Sequence, residues 1–395
     1  MTLAVPRTAV LDGRRAWLIA GVACAANFVT FGALFSFGVF QSAIARSFDT
    51  GTGPVAALFS IAVCCYYLAG MVGGRVADRH GVRIVLVAAL IALPVGLIAS
   101  SRAATLWQLY LFYAPLVGAA VGCCYPPLIG VVGRWFEQRR SLAIATVLLG
   151  VGGGTLVMPN VSEVLEHRYG WRTTFVIMAV VGSAVVALAA AVTSTPDACN
   201  APAPAPLRSI LGNERFRVLY LSVVLVGPGF YTPLAFYNDY AVHHGVGRGA
   251  AAALIGLVGG SSVAARLVFG WRGGFAPIAQ YNAGYLLMLA GLLTWFAAGG
   301  SYPIMVTSAV LHGLGWAAWV TATPLVLTEW FGVRDLGGAL GTFYTGLGIG
   351  ALAGPAASGF LVDRAGYRPA IAAVVVTTAA ACAVTIRRWG PERRR

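Results

Sequence analysis

Hydrophobic positions along the chain neither alternate with polar ones nor recur every three or four residues. They run on for about twenty residues at a time, the length a helix needs to cross a hydrocarbon core. The runs predict twelve transmembrane helices, at 17–43, 54–77, 83–100, 106–133, 141–164, 171–194, 216–240, 250–270, 277–298, 302–328, 338–361 and 368–386. Short polar links separate them, as lipid requires, because backbone outside a helix finds no partner in the bilayer. The first and fourth runs exceed one crossing and are expected to tilt or project. The eighth is the least uniform, because Arg266 interrupts it in GSSVAARLVFG.

Composition turns the pattern into a choice of solvent. Hydrophobic residues make up 58% of the 395 positions and charged residues 10%, against roughly a quarter charged in soluble domains. This points to an all-α polytopic membrane protein with the lipid bilayer as its main partner, and excludes a soluble enzyme. No nucleophile–base or carboxylate pair suggests catalysis. The 27 basic residues are all arginine: nineteen lie at the chain ends and in links after even-numbered spans, seven in the other links, and Arg266 in neither. By the positive-inside rule both termini are cytoplasmic. The net charge of +14 then reflects topology and attraction to anionic lipid, with no need of nucleic acid.

Other candidate chemistry adds little. The opening MTLAVPRTAVLDGRRAW lacks the apolar stretch of a signal peptide. Six of the seven cysteines fall in spans and Cys199 in a link, which supports no disulfide framework, and neither CC pair has a histidine or carboxylate neighbour for a metal. LLGVGGGT lacks the lysine of a nucleotide loop, so no cofactor is expected. Most tryptophans mark span ends. Trp316 and Trp319 lie inside a span, where they either pack between helices or line a central path.

The chain also repeats itself. LLGVGGGTLVMPNVSEVLEHRYGWR at 148–172 matches YTGLGIGALAGPAASGFLVDRAGYR at 344–368, aligning Gly150, Gly152, Gly154, Pro159, Gly170 and Arg172 with Gly346, Gly348, Gly350, Pro355, Gly366 and Arg368. Two six-helix halves follow, 1–194 and 216–395, with the Pro/Ala-rich stretch 195–215 as a cytoplasmic linker. Halves related in this way, with a site between them near the membrane midplane, are the plan of many secondary transporters.

GGRVADRHGVRIVL at 73–86 resembles the loop motif of the major facilitator superfamily, through Gly74, Asp78, Arg79, Gly81 and Arg83, with Val82 in place of the usual first basic residue. Gly74 suits close helix approach, Asp78 can face a helix N-terminus, and the arginines can anchor at the cytoplasmic surface. A weaker echo, GFLVDRAGYR at 359–368, places Asp363 and Arg364 outside, where surface pairing is expected. DGRRAWLIAGVACAANFVTFGALFSFGVF at 12–40, GRWFEQRRSLAIATVLLGVGGG at 133–154 and YGWR at 169–172 are similar to monocarboxylate transporters. That resemblance implies a major facilitator fold, and it places Arg266 where the family keeps an arginine that engages the substrate carboxylate. The chain departs from its animal members at Phe35, where they carry a lysine, and at Ser262, where they carry an aspartate. Both residues are associated there with proton coupling.

Arg266 cannot shed its proton, so it must be paired, hydrated or near an interface. Either it snorkels or pairs with Glu329, or it waits in a central cavity for an anion that completes its hydrogen-bond fork. By analogy with the superfamily, spans one, four, seven and ten line that cavity. Substrate-binding candidates beside Arg266 are then Asn27, Tyr125 and Tyr231, with Phe35 and Tyr344 as walls. His312 and Glu329 are candidates for proton coupling, each with a structural alternative. The expected function is proton-coupled symport of a small monocarboxylate anion with H+ by alternating access, in a monomer of the bacterial inner membrane. Anion exchange or export of amphiphilic compounds is the alternative within transport, and a non-transporting receptor or scaffold the alternative outside it.

Overall fold

A computed structural model describes residues 11–194, 212–272, 276–331 and 336–389. Among these residues the secondary structure is helical. In the N-terminal half the elements are α1 (Arg14–Phe35), α2 (Phe37–Ser47), α3 (Thr52–His80), α4 (Val82–Ser101), α5 (Leu106–Phe112), a π-helical turn at Tyr113–Val117, α6 (Gly118–Trp135) and α7 (Arg140–Val192). The C-terminal half contains α8 (Glu214–His243), α9 (Arg248–Arg272), α10 (Pro277–Phe296), α11 (Tyr302–Phe331), α12 (Leu336–Ala365) and α13 (Tyr367–Trp389). Ten segments of the described residues are long and apolar enough to cross a membrane. Most of linker 195–215, with Cys199, lies outside the described residues, as does the Asp78 side chain.

The two overlong runs are each interrupted. The first breaks at Ser36, whose hydroxyl donates to the Gly32 carbonyl at 2.7 Å. The fourth passes through the π turn around Pro115, which has no N–H to give to a regular ladder. The longest helix reverses within itself at Gly170, where φ is +77°. Its repeat partner Gly366 has φ +84°, so both halves turn on a glycine in the left-handed region that other residues avoid.

The glycine-rich repeat has two packing faces. A Cβ on Gly150 or Gly154 of α7 would strike the carbonyls of Cys24 or Phe28 on α1, and one on Gly350 of α12 would strike Val224 and Gly227 on α8. These contacts are internal to each half. The glycines between them face the other half: Gly152 meets Val263 and Gly259 of α9, while Gly348 meets Tyr67 of α3. One motif thus holds each half together and builds the seam. At Gly74, by contrast, no neighbour stands within 4 Å of a Cβ position, which corrects the expectation of close approach there. Gly73 is the residue that packs against α4 and α6, through Val85 and Cys123.

Polar links gather at the two ends. On the side bearing both chain ends, the Asp12 carboxylate accepts N–H bonds from Glu137, Gln138 and Arg139, and Arg388 pairs with Glu214. Gly81 makes the turn into α4 with φ +87°. Arg83 donates to the carbonyls of Thr193 and Ala191 at 3.1 and 3.2 Å, closing the C-terminal end of α7, and Arg79 is exposed. On the far side the bonds cross the seam. Asp363 accepts from the Thr52 N–H and hydroxyl and from the Gly53 N–H, so it caps α3 of the other half and is not the surface pair expected of it. Asp239 accepts from Ser42 across the seam and from Tyr367 of its own half, and Arg248 pairs with Glu166 at 3.5 Å.

Large apolar side chains point outward along the bundle, among them Ile91, Val180 and Val376. Such a surface has lipid as its natural solvent.

Candidate functional site

Inside the seam the rings of the two halves close on a cavity of about 30 Å³, room for little more than a water. The N-terminal half contributes Phe31 and Phe35 from α1, Tyr66 and Tyr67 from α3, Tyr125 from α6 and Val151 from α7. Facing them are Phe230 and Tyr231 from α8, Arg266 from α9, Trp316, Trp319 and Val320 from α11, and Tyr344 and Leu347 from α12. None of these residues is Asp, Glu or His.

Proline and glycine place several of these rings. Pro126 and Pro127 follow Tyr125 inside α6 and remove two ladder hydrogen bonds. Pro228 precedes Phe230 and Tyr231 inside α8, and the adjacent Gly229 lies hard against Thr378 of α13. The rings then engage one another. Phe31 meets Tyr125 edge to face at 5.1 Å, and Phe230 meets Trp316 at 5.2 Å. Others bridge the halves, among them Phe35 against Trp316 at 5.7 Å, Tyr67 stacked on Tyr344 at 6.0 Å, and a hydroxyl–hydroxyl bond between Tyr67 and Tyr231.

Arg266 is the charged group of this lining. Its Nη1 donates to the Leu148 carbonyl across the seam at 3.2 Å, its guanidinium carbon lies 5.9 Å from the Trp316 ring centre, and Tyr125 and Tyr344 share the cavity wall with it. Its buried Nε has no hydrogen-bond partner. The ion pairs found among the described residues are Arg248–Glu166 and Arg388–Glu214, and Arg266 belongs to neither. Glu329 is exposed.

The structure therefore brings together Phe35, Tyr125, Tyr231, Arg266 and Tyr344. Trp316 and Trp319 line the cavity as well as packing. Asn27 stands apart, buried, donating to the Ala23 carbonyl of its own helix at 2.9 Å with Oδ1 unpartnered. His312 lies behind the wall: its Nε2 meets the Phe230 carbonyl at 3.2 Å, and Nδ1 has no partner. Ser262 is buried one turn before Arg266 with its hydroxyl unpartnered. Tyr66, Tyr67, Phe31 and Phe230 were not expected. The adjacent tyrosines in CCYY are the signal for two of them, but they sit on α3, outside the set of spans expected to line the cavity.

Comparison with known proteins agrees with this architecture. The family description Major Facilitator Superfamily matches residues 23–277 and again 275–395. The chain is 27% identical to human monocarboxylate transporter 11 over 373 residues, 90% of this chain and 79% of that protein. It is 27% identical to rat monocarboxylate transporter 13, over 92% of this chain and 86% of that one. The Aspergillus flavus MFS transporter asaE is 24% identical over 90% and 81%. Among solved structures, a bacterial homologue of the human lysosomal transporter Spinster, in an inward-facing, unoccupied conformation, superposes with a TM-score of 0.74 at 17% identity, covering 95% of this chain and 97% of that one. With the family matching both halves, and with helices that bury a site in their seam, the chain belongs to the Major Facilitator Superfamily, a fold that moves solutes rather than transforming them.

Proposed function

We propose that the protein carries a small monocarboxylate across the inner membrane of a bacterium by alternating access, as a monomer with both termini in the cytoplasm. Counting 142–192 as two crossings joined at Gly170, and Pro277–Phe296 as one, gives twelve helices. They form two halves, 1–194 and 216–395, tied by 195–215. The observation that carries the reading is Arg266: a half-buried arginine inside the seam, held by a single carbonyl and the Trp316 face, with its buried Nε unpartnered and no carboxylate in the lining. A substrate carboxylate supplies both the counter-charge and the missing acceptor. The relatives named monocarboxylate transporters support the same substrate class.

In the symport reading a proton accompanies the anion, with His312 or Glu329 as carrier. The lining favours a second reading, anion exchange. An empty carrier must pass through a closed state with Arg266 unpaired, which costs several kcal/mol for a desolvated ion, whereas a loaded carrier closes around a neutral pair. No acid or imidazole in the lining can relieve that cost by titrating. Proteoliposomes with a trapped pH-sensitive dye separate the two. Internal acidification in step with uptake identifies symport; uptake that needs internal anion and leaves internal pH unchanged identifies exchange. No flux in either format, with ligand still bound, identifies a receptor and contradicts transport.

A further inference from the structure

We propose that the monocarboxylate this site selects is aromatic: a planar ring held among the facing side chains of the two halves, with its carboxylate on Arg266. This rests on the carboxylate reading above and narrows it to aryl acids.

Ten of the fourteen lining side chains are aromatic, three are aliphatic and one is charged. A two- or three-carbon acid needs only the charged group and a small apolar wall, and has no use for so many rings. The closed geometry adds a second reason. About 30 Å³ remains between the halves, so any acid must part the rings that meet across the seam, Phe35 from Trp316 and Tyr67 from Tyr344. The first pair meets edge to face and the second is stacked, and both geometries gain beyond the area they bury. A flat aromatic guest restores such contacts on both sides when it enters. An aliphatic guest parts the same rings and restores only contact area. Tyr67 and Tyr231 satisfy each other's hydroxyls and present carbon faces to such a guest.

The test compares ligands that differ in one property each. Apparent Kd is measured on the purified full-length protein by ligand-induced thermal stabilisation, with benzoate, cyclohexanecarboxylate, lactate and benzyl alcohol. Benzoate is expected to bind roughly tenfold more tightly than cyclohexanecarboxylate, as two ring–ring contacts provide, and more tightly still than lactate. Trp316→Leu, and independently Tyr344→Leu should the first fail to fold, bring the benzoate-to-cyclohexanecarboxylate ratio toward one. Equal affinity for those two acids in the native protein, or tighter binding of lactate, overturns aromatic selectivity and leaves the carboxylate reading intact. Benzyl alcohol binding as well as benzoate, or no acid binding at all, overturns the carboxylate reading itself.

Discussion

Arg266 shows how one residue can be legible in the sequence while its surroundings are not. A permanent cation in an apolar run demands a partner, and that much follows from residue type alone. Whether the partner is Glu329, an interface or a guest depends on which way the helix faces, and α9 gives no such cue. The structure shows a carbonyl, an indole face and an unpartnered Nε. Arg266→Ala is expected to lose carboxylate affinity by roughly 2–5 kcal/mol, the cost of stranding one member of a buried charge pair, while its melting temperature without ligand holds or rises. Arg266→Lys is expected to lose most of the same affinity, because an ammonium keeps the charge without the planar fork. Titration and melting on one preparation check both. Unchanged affinity with a lowered melting temperature would make Arg266 a structural residue. Asn27 and His312 illustrate the opposite case. Both are polar and mid-span, yet they bond to nearby backbone and leave the cavity to tyrosines.

At the scale of elements the hydrophobic runs coincide closely with the helices. The third, ninth and tenth runs, expected at 83–100, 277–298 and 302–328, are Val82–Ser101, Pro277–Phe296 and Tyr302–Phe331. The breaks at Ser36 and in the π turn escaped the pattern, because both fall inside unbroken apolar sequence. The inner walls escaped it too: a helix apolar all round has no polar face to mark its orientation, so nothing distinguished Tyr67 from a packing ring.

The far-side closure makes an element-scale prediction. Hydrogen bonds to a charged group are worth about 1.5–3 kcal/mol, and Asp363 receives three from the start of α3. Asp363→Ala is expected to open the far side, raising several-fold the thiol labelling of a cysteine placed at Ala56, in the seam beside Gly359. Gly53→Ala is expected to act in the same direction, since its Cβ would stand 2.9 Å from the Asp363 carboxylate and 2.8 Å from the Phe360 ring. Labelling unchanged in both variants would deny this contact a role in closure. At the opposite end, desolvation alone would raise the Asp12 carboxyl, but three backbone N–H bonds and the Arg139 charge outweigh it and hold its pKa below the ordinary 3.8. The stabilisation it gives the joint between the chain start and residues 137–139 is therefore complete above that value and fades as pH falls through the lowered one. Asp12→Asn should lower the melting temperature at neutral pH and converge on the native protein in strong acid. A difference that persists at low pH would contradict the carboxylate's role.

For the molecule as a whole, the repeat was the most informative feature of the sequence. It predicted two related halves, and its glycines divide the work, some binding each half together and those between them forming the seam. Among the described residues, the hydrogen bonds that join the halves lie on the far side and around the cavity, as expected of a carrier closed on that side. The central claim is that this closed site moves a carboxylate held on Arg266. Counterflow tests it most directly. Proteoliposomes preloaded with unlabelled monocarboxylate are diluted into trace labelled anion, with native and Arg266→Lys protein inserted in equal amount. The account predicts a transient overshoot of internal label with native protein and none with the lysine variant. An overshoot of equal height in Arg266→Lys would contradict it.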